Sequence, residues 1–186
     1  MTPEPRAEVL LLSGTVGAGK TTTAYAIGDL LAAAGTPHAV IDLDEIRRMW
    51  PAPEDDPFHT ALELENLRAL AATYRRAGAQ RLVLAGVVEG PGAREGYEEA
   101  VGGPVLVCRL RVDLAEVRRR LHGRHEEGAE RDWHLERSGE LDAILEAEAA
   151  ADLTVDVRGR APREVAQHVL AEAGWSATRR PPAPPR

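Results

Sequence analysis

The run Leu10-Leu11-Leu12-Ser13 leads directly into Gly14-Thr15-Val16-Gly17-Ala18-Gly19-Lys20-Thr21, which satisfies every fixed position of the pattern GxxxxGK[ST]. A chain carrying this sequence has to turn from a buried strand into a helix within a few residues. The glycines let backbone N–H groups converge on a phosphate chain, and the helix that follows points its positive end at the same charge. Gly14, Thr15, Val16, Gly17, Ala18, Gly19, Lys20, Thr21 and Thr22 are therefore the expected nucleotide-binding residues. Lys20 should reach the β- and γ-phosphates, its ammonium facing solvent until they arrive, and the Thr21 hydroxyl should ligate Mg²⁺.

The rest of the chain fits the architecture that this turn demands. Short apolar runs alternate with longer amphipathic ones, the mark of β-α-β units around a parallel sheet. Strands are expected at Glu8–Ser13, His38–Asp42, Gln80–Val87, Val105–Arg111 and Asp152–Val157. Helices are expected near Lys20–Ala34, Asp44–Met49, Thr60–Ala77, Ala93–Ala100, Asp113–His122, Ser138–Ala150 and Ala161–Ala173. Gly35 and Gly78 should stop two of them, and Asp113 with Glu116 should form a capping pair. The expected fold is thus a three-layer αβα domain over residues 1–175 with a five-stranded parallel sheet. Residues 176–186, proline-rich and without an apolar period, read as a disordered tail.

Composition narrows the partners. The 186 residues fit one domain, and a formal charge of −7 with 4% aromatic residues argues against a nucleic-acid surface. Cys108 is the single cysteine, so no internal disulfide is possible, and its apolar neighbours suggest a buried strand thiol. The start MTPEPRAEVL lacks a basic region backed by an apolar stretch, and no apolar run is long enough to cross a membrane. The expectation is a soluble cytoplasmic protein with no membrane partner.

Chemistry beyond nucleotide binding is suggested at Val40-Ile41-Asp42-Leu43-Asp44-Glu45-Ile46. Asp42 and Asp44 are two apart at the carboxyl end of a strand, so they project to one side where ligands of open α/β sheets gather. One carboxylate could support Mg²⁺ through water while the other takes the proton of an attacking hydroxyl. The alternative is that Asp44 caps a helix starting at Glu45, with Asp42 a solvated strand end.

The phosphate loop followed some twenty residues later by Asp42-Leu43-Asp44-Glu45-Ile46 resembles the small P-loop kinases related to nucleoside monophosphate kinases, in particular adenylyl-sulfate, shikimate and chloramphenicol kinases. Shikimate kinases carry a similar DxDxxI turn. That resemblance implies that Asp42 supports the metal and Asp44 contacts the substrate hydroxyl. Glu65-Asn66-Leu67-Arg68 and the strand after Gly78 look like the ENxRR helix and next strand of adenylyl-sulfate kinases. Two departures stand out. Leu62-Glu63-Leu64-Glu65-Asn66 replaces the DRxEN of those enzymes, so Glu63 stands where an arginine meets the sulfonucleotide, and their lysine-rich substrate lid is missing. An anionic substrate would meet a like charge at Glu63.

A lid is expected over about 120–137. Leu114, Val117 and Leu121 form a packing stripe that should break at Gly123 into a polar loop dotted with arginines. Arg120 and Arg124, resembling the RLxxR start of the lid in these kinases, are expected to stabilise transferring charge, with Arg131 and Arg137 as further candidates. Glu89 and Arg94 should face the crevice at the carboxyl ends of the strands. Trp50 and Phe58 lie where such kinases bind the acceptor. His122, His125 and His134 lack the spacing of a zinc site. The expected activity is ATP- and Mg²⁺-dependent phosphorylation of a hydroxyl on a small molecule, with Asp44, Lys20, Arg120 and Arg124 catalytic and Thr21 and Asp42 on the metal. Adenylyl-sulfate kinase and a non-catalytic nucleotide-binding module are the alternatives.

Overall fold

The computed structural model describes residues 8–90, 92–124, 128–148 and 151–175. The elements in chain order are β1 (Val9–Ser13), α1 (Lys20–Ala33), β2 (His38–Asp42), α2 (Leu43–Ile46), α3 (Thr60–Arg76), β3 (Arg81–Ala85), α4 (Ala93–Val101), β4 (Val105–Arg111), α5 (Leu114–Arg124), α6 (Ala129–Glu148), β5 (Leu153–Asp156) and α7 (Pro162–Glu172). All five strands are parallel and ordered β2-β3-β1-β4-β5. The expected disordered tail at 176–186 lies outside the described residues.

β1 runs through the middle of the sheet, and every one of its residues is buried. Alternation along it serves both faces. Leu10 and Leu12 pack with Ile27 of α1, Leu121 of α5 and Val169 of α7, while Val9 and Leu11 pack with Leu67 of α3 and Tyr97 of α4. A strand covered on both sides needs apolar residues at consecutive positions, which is why Val9–Leu12 reads as an unbroken run rather than an alternating one. Each fully buried leucine contributes roughly 1.5–3 kcal/mol. The three-layer αβα expectation holds, as does the buried thiol of Cys108 on β4, which burial pushes up to about 12.

The lid differs from the expectation. In place of a polar loop from Gly123 to a helix at Ser138, α5 continues through Arg124 and α6 already begins at Ala129. Leu135 packs against the core cluster, and Ser138, Leu141 and Leu145 are buried after it at spacings of three, three and four, the period of a helix face. Arg109 of β4, itself buried, reaches Asp142 at 2.9 Å and Glu146 at 2.6 Å and pins that face down. The expected capping pair is half present. The Asp113 carboxylate accepts the Ala115 N–H at 2.8 Å, but Glu116 turns to Arg119 and Arg120.

The second helix is also shorter than expected. β2 passes straight into the single turn of α2, and the chain leaves it at Arg47. Leu43 is 1% exposed and lies against Gly86 just past the end of β3; a Cβ on Gly86 would come within 2.4 Å of Leu43 Cδ1 and 3.0 Å of its Cβ. Leu43 stands between Asp42 and Asp44, so this close approach seats both aspartates. Gly86→Ala should destabilise the protein by about 1–3 kcal/mol, the usual cost of overpacking, as read by denaturant unfolding. An unchanged midpoint would show that α2 can shift freely.

Candidate active site

The phosphate loop connects β1 to α1 with Gly17 and Gly19 at φ 78° and 91°, in the left-handed region that glycine adopts readily. α1 starts at Gly19 with no side-chain cap and no acidic residue in its first turn. Its first N–H groups and positive dipole end are thus left for an anion. Lys20 differs from the expectation of a solvent-facing ammonium. It folds back onto the loop, donating to the carbonyls of Gly14 at 2.9 Å and Thr15 at 3.1 Å. Burial lowers its pKa to about 8, opposed by the charges of Asp44 and Asp42.

Thr21 and Asp42, separated by α1 and β2, meet here. The Thr21 hydroxyl donates to Asp42 Oδ2 at 2.7 Å, and Asp42 Oδ1 accepts the Asp44 N–H at 3.0 Å. Asp42 is therefore the N-cap of α2, and the capping role weighed for Asp44 falls on its neighbour. A threonine hydroxyl and a carboxylate at the mouth of a phosphate loop form the donor set that Mg²⁺ takes alongside phosphate oxygens.

Asp44 is exposed and bonded to Arg47, one turn on. Arg47 also reaches Glu63 of α3 at 3.2 Å. Glu63 is 3% exposed and accepts the Tyr97 hydroxyl at 2.6 Å. Burial raises its carboxyl, with Tyr97 and Arg47 pulling it back, and burial beside Glu63 pushes the Tyr97 phenol up. The charge expected to face the substrate is thus turned inward and paired. Arg47 and Tyr97 were not singled out in the sequence. Arg47 could have been, since a cation three residues after an aspartate on a helix turn is placed to meet it; Tyr97 carries no such local signal. Asp44, Arg47, Arg48, Met49, Trp50 and His59 line a cavity of about 470 Å³. Trp50, at 91% exposed, stands at its wall, and Phe58, at 79%, follows on the same segment.

The lid residues divide. Arg120 lies against the phosphate loop, with Nη1 3.3 Å from the Gly17 carbonyl, steadied by Glu116 at 2.9 Å. The Thr15 hydroxyl donates to the Ser138 carbonyl at 2.5 Å, tying the loop to α6. Arg137 pairs with Glu89 at 2.6 Å. Arg94 turns away from the carboxyl ends of the strands. It forks onto Asp152 at 3.0 and 2.7 Å and bonds the Val105 carbonyl at 2.8 Å, at the amino ends of β5 and β4. The side chains of Arg124 and Arg131, and all of His125, lie outside the described residues. His122 bonds the Arg118 carbonyl, and His134 packs edge-on against Trp133.

Solved structures share this fold. The chain is similar to the Mycobacterium tuberculosis APS kinase in complex with AMPPNP and APS, at 23% identity over 92% of this chain and 99% of that one, TM-score 0.60. It is similar to the Deinococcus radiodurans tunicamycin resistance protein at 22% identity over 91% and 96%, TM-score 0.63. It is also similar to the Acinetobacter baumannii shikimate kinase in complex with shikimate, at 20% identity over 89% and 92%, TM-score 0.61. The fold is that of the small P-loop kinases. The sequence profile of the Zeta toxin family matches residues 1–66, from the amino terminus through the first two turns of α3. No curated protein matches the chain by sequence.

The low basicity of Lys20 has a measurable sign. Its folded value lies below the ordinary 10.5, so the free protein gains stability as pH rises from about 8 towards 10.5 and loses it as pH falls back through 8. A phosphate chain beside the ammonium favours its charged form, so above about pH 8 binding should take up a proton and affinity should fall with rising pH. Calorimetry of ATP binding in buffers of different ionisation enthalpy reads this directly. Lys20→Ala should abolish the proton uptake together with most of the affinity.

Proposed function

We propose that this protein is a kinase that uses ATP and Mg²⁺ to transfer the γ-phosphoryl group to a hydroxyl of a small molecule. The observation that carries the reading is the Thr21–Asp42 hydrogen bond at 2.7 Å with Asp44 two residues beyond it. It joins candidate metal ligands to a candidate base at the mouth of a phosphate loop. A cavity of about 470 Å³ beside Asp44 suits a small acceptor.

In this reading the acceptor oxygen attacks the γ-phosphorus, the bond to the β–γ bridging oxygen breaks, and ADP leaves. The hydroxyl proton passes to Asp44. Thr21 and Asp42 would hold Mg²⁺, which when bound would neutralise charge on the phosphate oxygens. Lys20 exchanges the uncharged carbonyls of Gly14 and Thr15 for phosphate oxygens, so that its ammonium meets a full opposite charge. Arg120, already against Gly17, meets the transferring charge, and Arg124 joins it in the same role. Asp42 holds the metal side through Thr21. Residues 1–175 form the kinase domain with its lid over about 120–137, residues 176–186 a tail, and the protein acts in the cytoplasm.

Product formation over a panel of hydroxyl acceptors, with ATP and Mg²⁺, tests the class. ATP binding with no transfer to any acceptor would reduce the protein to a nucleotide-binding module. Asp44→Asn then tests the base. Turnover should fall about 10²–10⁴-fold while ATP affinity and melting temperature stay near wild type, because the α2 cap is Asp42. Asp42→Asn should instead raise the Mg²⁺ requirement, since Asn still caps. Full turnover by Asp44→Asn would remove it from the mechanism.

A further inference from the structure

Two arginines line the cavity beside Asp44, and both are already matched by carboxylates of the protein. Arg48 pairs with Glu45 at 3.2 Å, with both side chains largely exposed. That pair exchanges readily with solvent ions and holds little. Arg47 is held differently. On its inner side stands Glu63, almost wholly buried, whose other oxygen is fixed by the Tyr97 hydroxyl at 2.6 Å. An anionic ligand drawing Arg47 outwards would leave that carboxylate buried without its cation, and removing one partner of a buried pair is costly. Met49 and Trp50, both exposed, also line the cavity.

The geometry points to Glu63 as a positioning residue that sets acceptor specificity: it holds Arg47 from beneath, so that the pocket beside Asp44 takes a hydroxyl compound bearing no phosphate, sulfate or carboxylate. The word acceptor rests on the kinase reading; the exclusion of anions from the pocket does not.

Inorganic sulfate serves as the probe, measured on the full chain by calorimetry with saturating AMPPNP and Mg²⁺ so that the phosphate loop is filled. Wild type should show no saturable sulfate site that depends on Arg47. Glu63→Gln, which keeps shape and removes charge, should gain one, tightening sulfate binding at least about ten-fold. The gain should vanish in the Glu63→Gln/Arg47→Gln double variant. Tyr97→Phe, which loosens Glu63 without removing its charge, should show a smaller gain and serves if Glu63→Gln does not fold. A loss of packing alone would lower the melting temperature without creating an Arg47-dependent anion site. The proposal is overturned if neither variant binds sulfate better than wild type, or if wild type already binds it through Arg47 as tightly as Glu63→Gln. Failure of the kinase reading would be seen separately, as absence of phosphoryl transfer, and leaves the sulfate comparison standing.

Discussion

The carboxylate of Asp42 is the joint on which the site turns. One oxygen accepts the hydroxyl of Thr21 at the start of α1, and the other accepts the backbone N–H of Asp44. A single side chain thereby ties the helix that follows the phosphate loop to the turn that carries the candidate base. Its position is fixed from below by Leu43, buried against Gly86 past the end of β3. β3 lies between β1 and β2 in the sheet, so the strand feeding the loop and the strand feeding the aspartates share one neighbour and keep a fixed separation. The chemistry at the carboxyl ends inherits its geometry from that parallel register.

The nucleotide half is built from local sequence, and that is why it was legible. The loop, the helix start and the aspartate pair lie within Gly14–Asp44, and each follows from a short pattern whose backbone or spacing rule is known. All five strands fall within a residue or two of their expected positions, because apolar runs between turn residues are a strong signal for strands covered on both faces. The stretch after Gly123 differs from its expectation for a related reason. Residues 129–137 are polar and arginine-rich, and sequence alone weighs charge against burial. α6 is held by a narrow seam, Leu135, Ser138, Leu141 and Leu145, together with Arg109 reaching Asp142 and Glu146 from β4. A side chain on a strand 33 residues upstream of its partner leaves no trace in the local pattern.

Arg94 shows the same limit from the other side. Its place after β3 suggested the crevice, yet the fork it makes with Asp152 ties α4 to the amino ends of β4 and β5. Asp152 is claimed twice, since the same carboxylate also accepts the Val107 N–H at 2.8 Å. Such a contact closes a gap between elements far apart in sequence. Position at one end of a strand constrained where Arg94 begins, and a long flexible side chain decided where it ends.

Beyond Asp44, the ion pairs and hydrogen bonds around the crevice join distant residues. Arg47 with Glu63, Glu63 with Tyr97, and Glu89 with Arg137 join segments that are 16, 34 and 48 residues apart. The Zeta toxin profile stops at residue 66, where α3 has delivered Glu63 but neither Tyr97 nor the lid has been reached. This division follows from what each half has to do. A phosphate chain is the same ligand wherever such a loop meets one, so one short backbone pattern can serve many proteins. An acceptor is recognised by charge and shape that differ from protein to protein, and loops and side chains brought together by the tertiary fold can vary without disturbing the strands beneath them. Glu63 illustrates the point: one buried residue of α3, with no part in the sheet, pairs with Tyr97 and holds Arg47 beside Asp44.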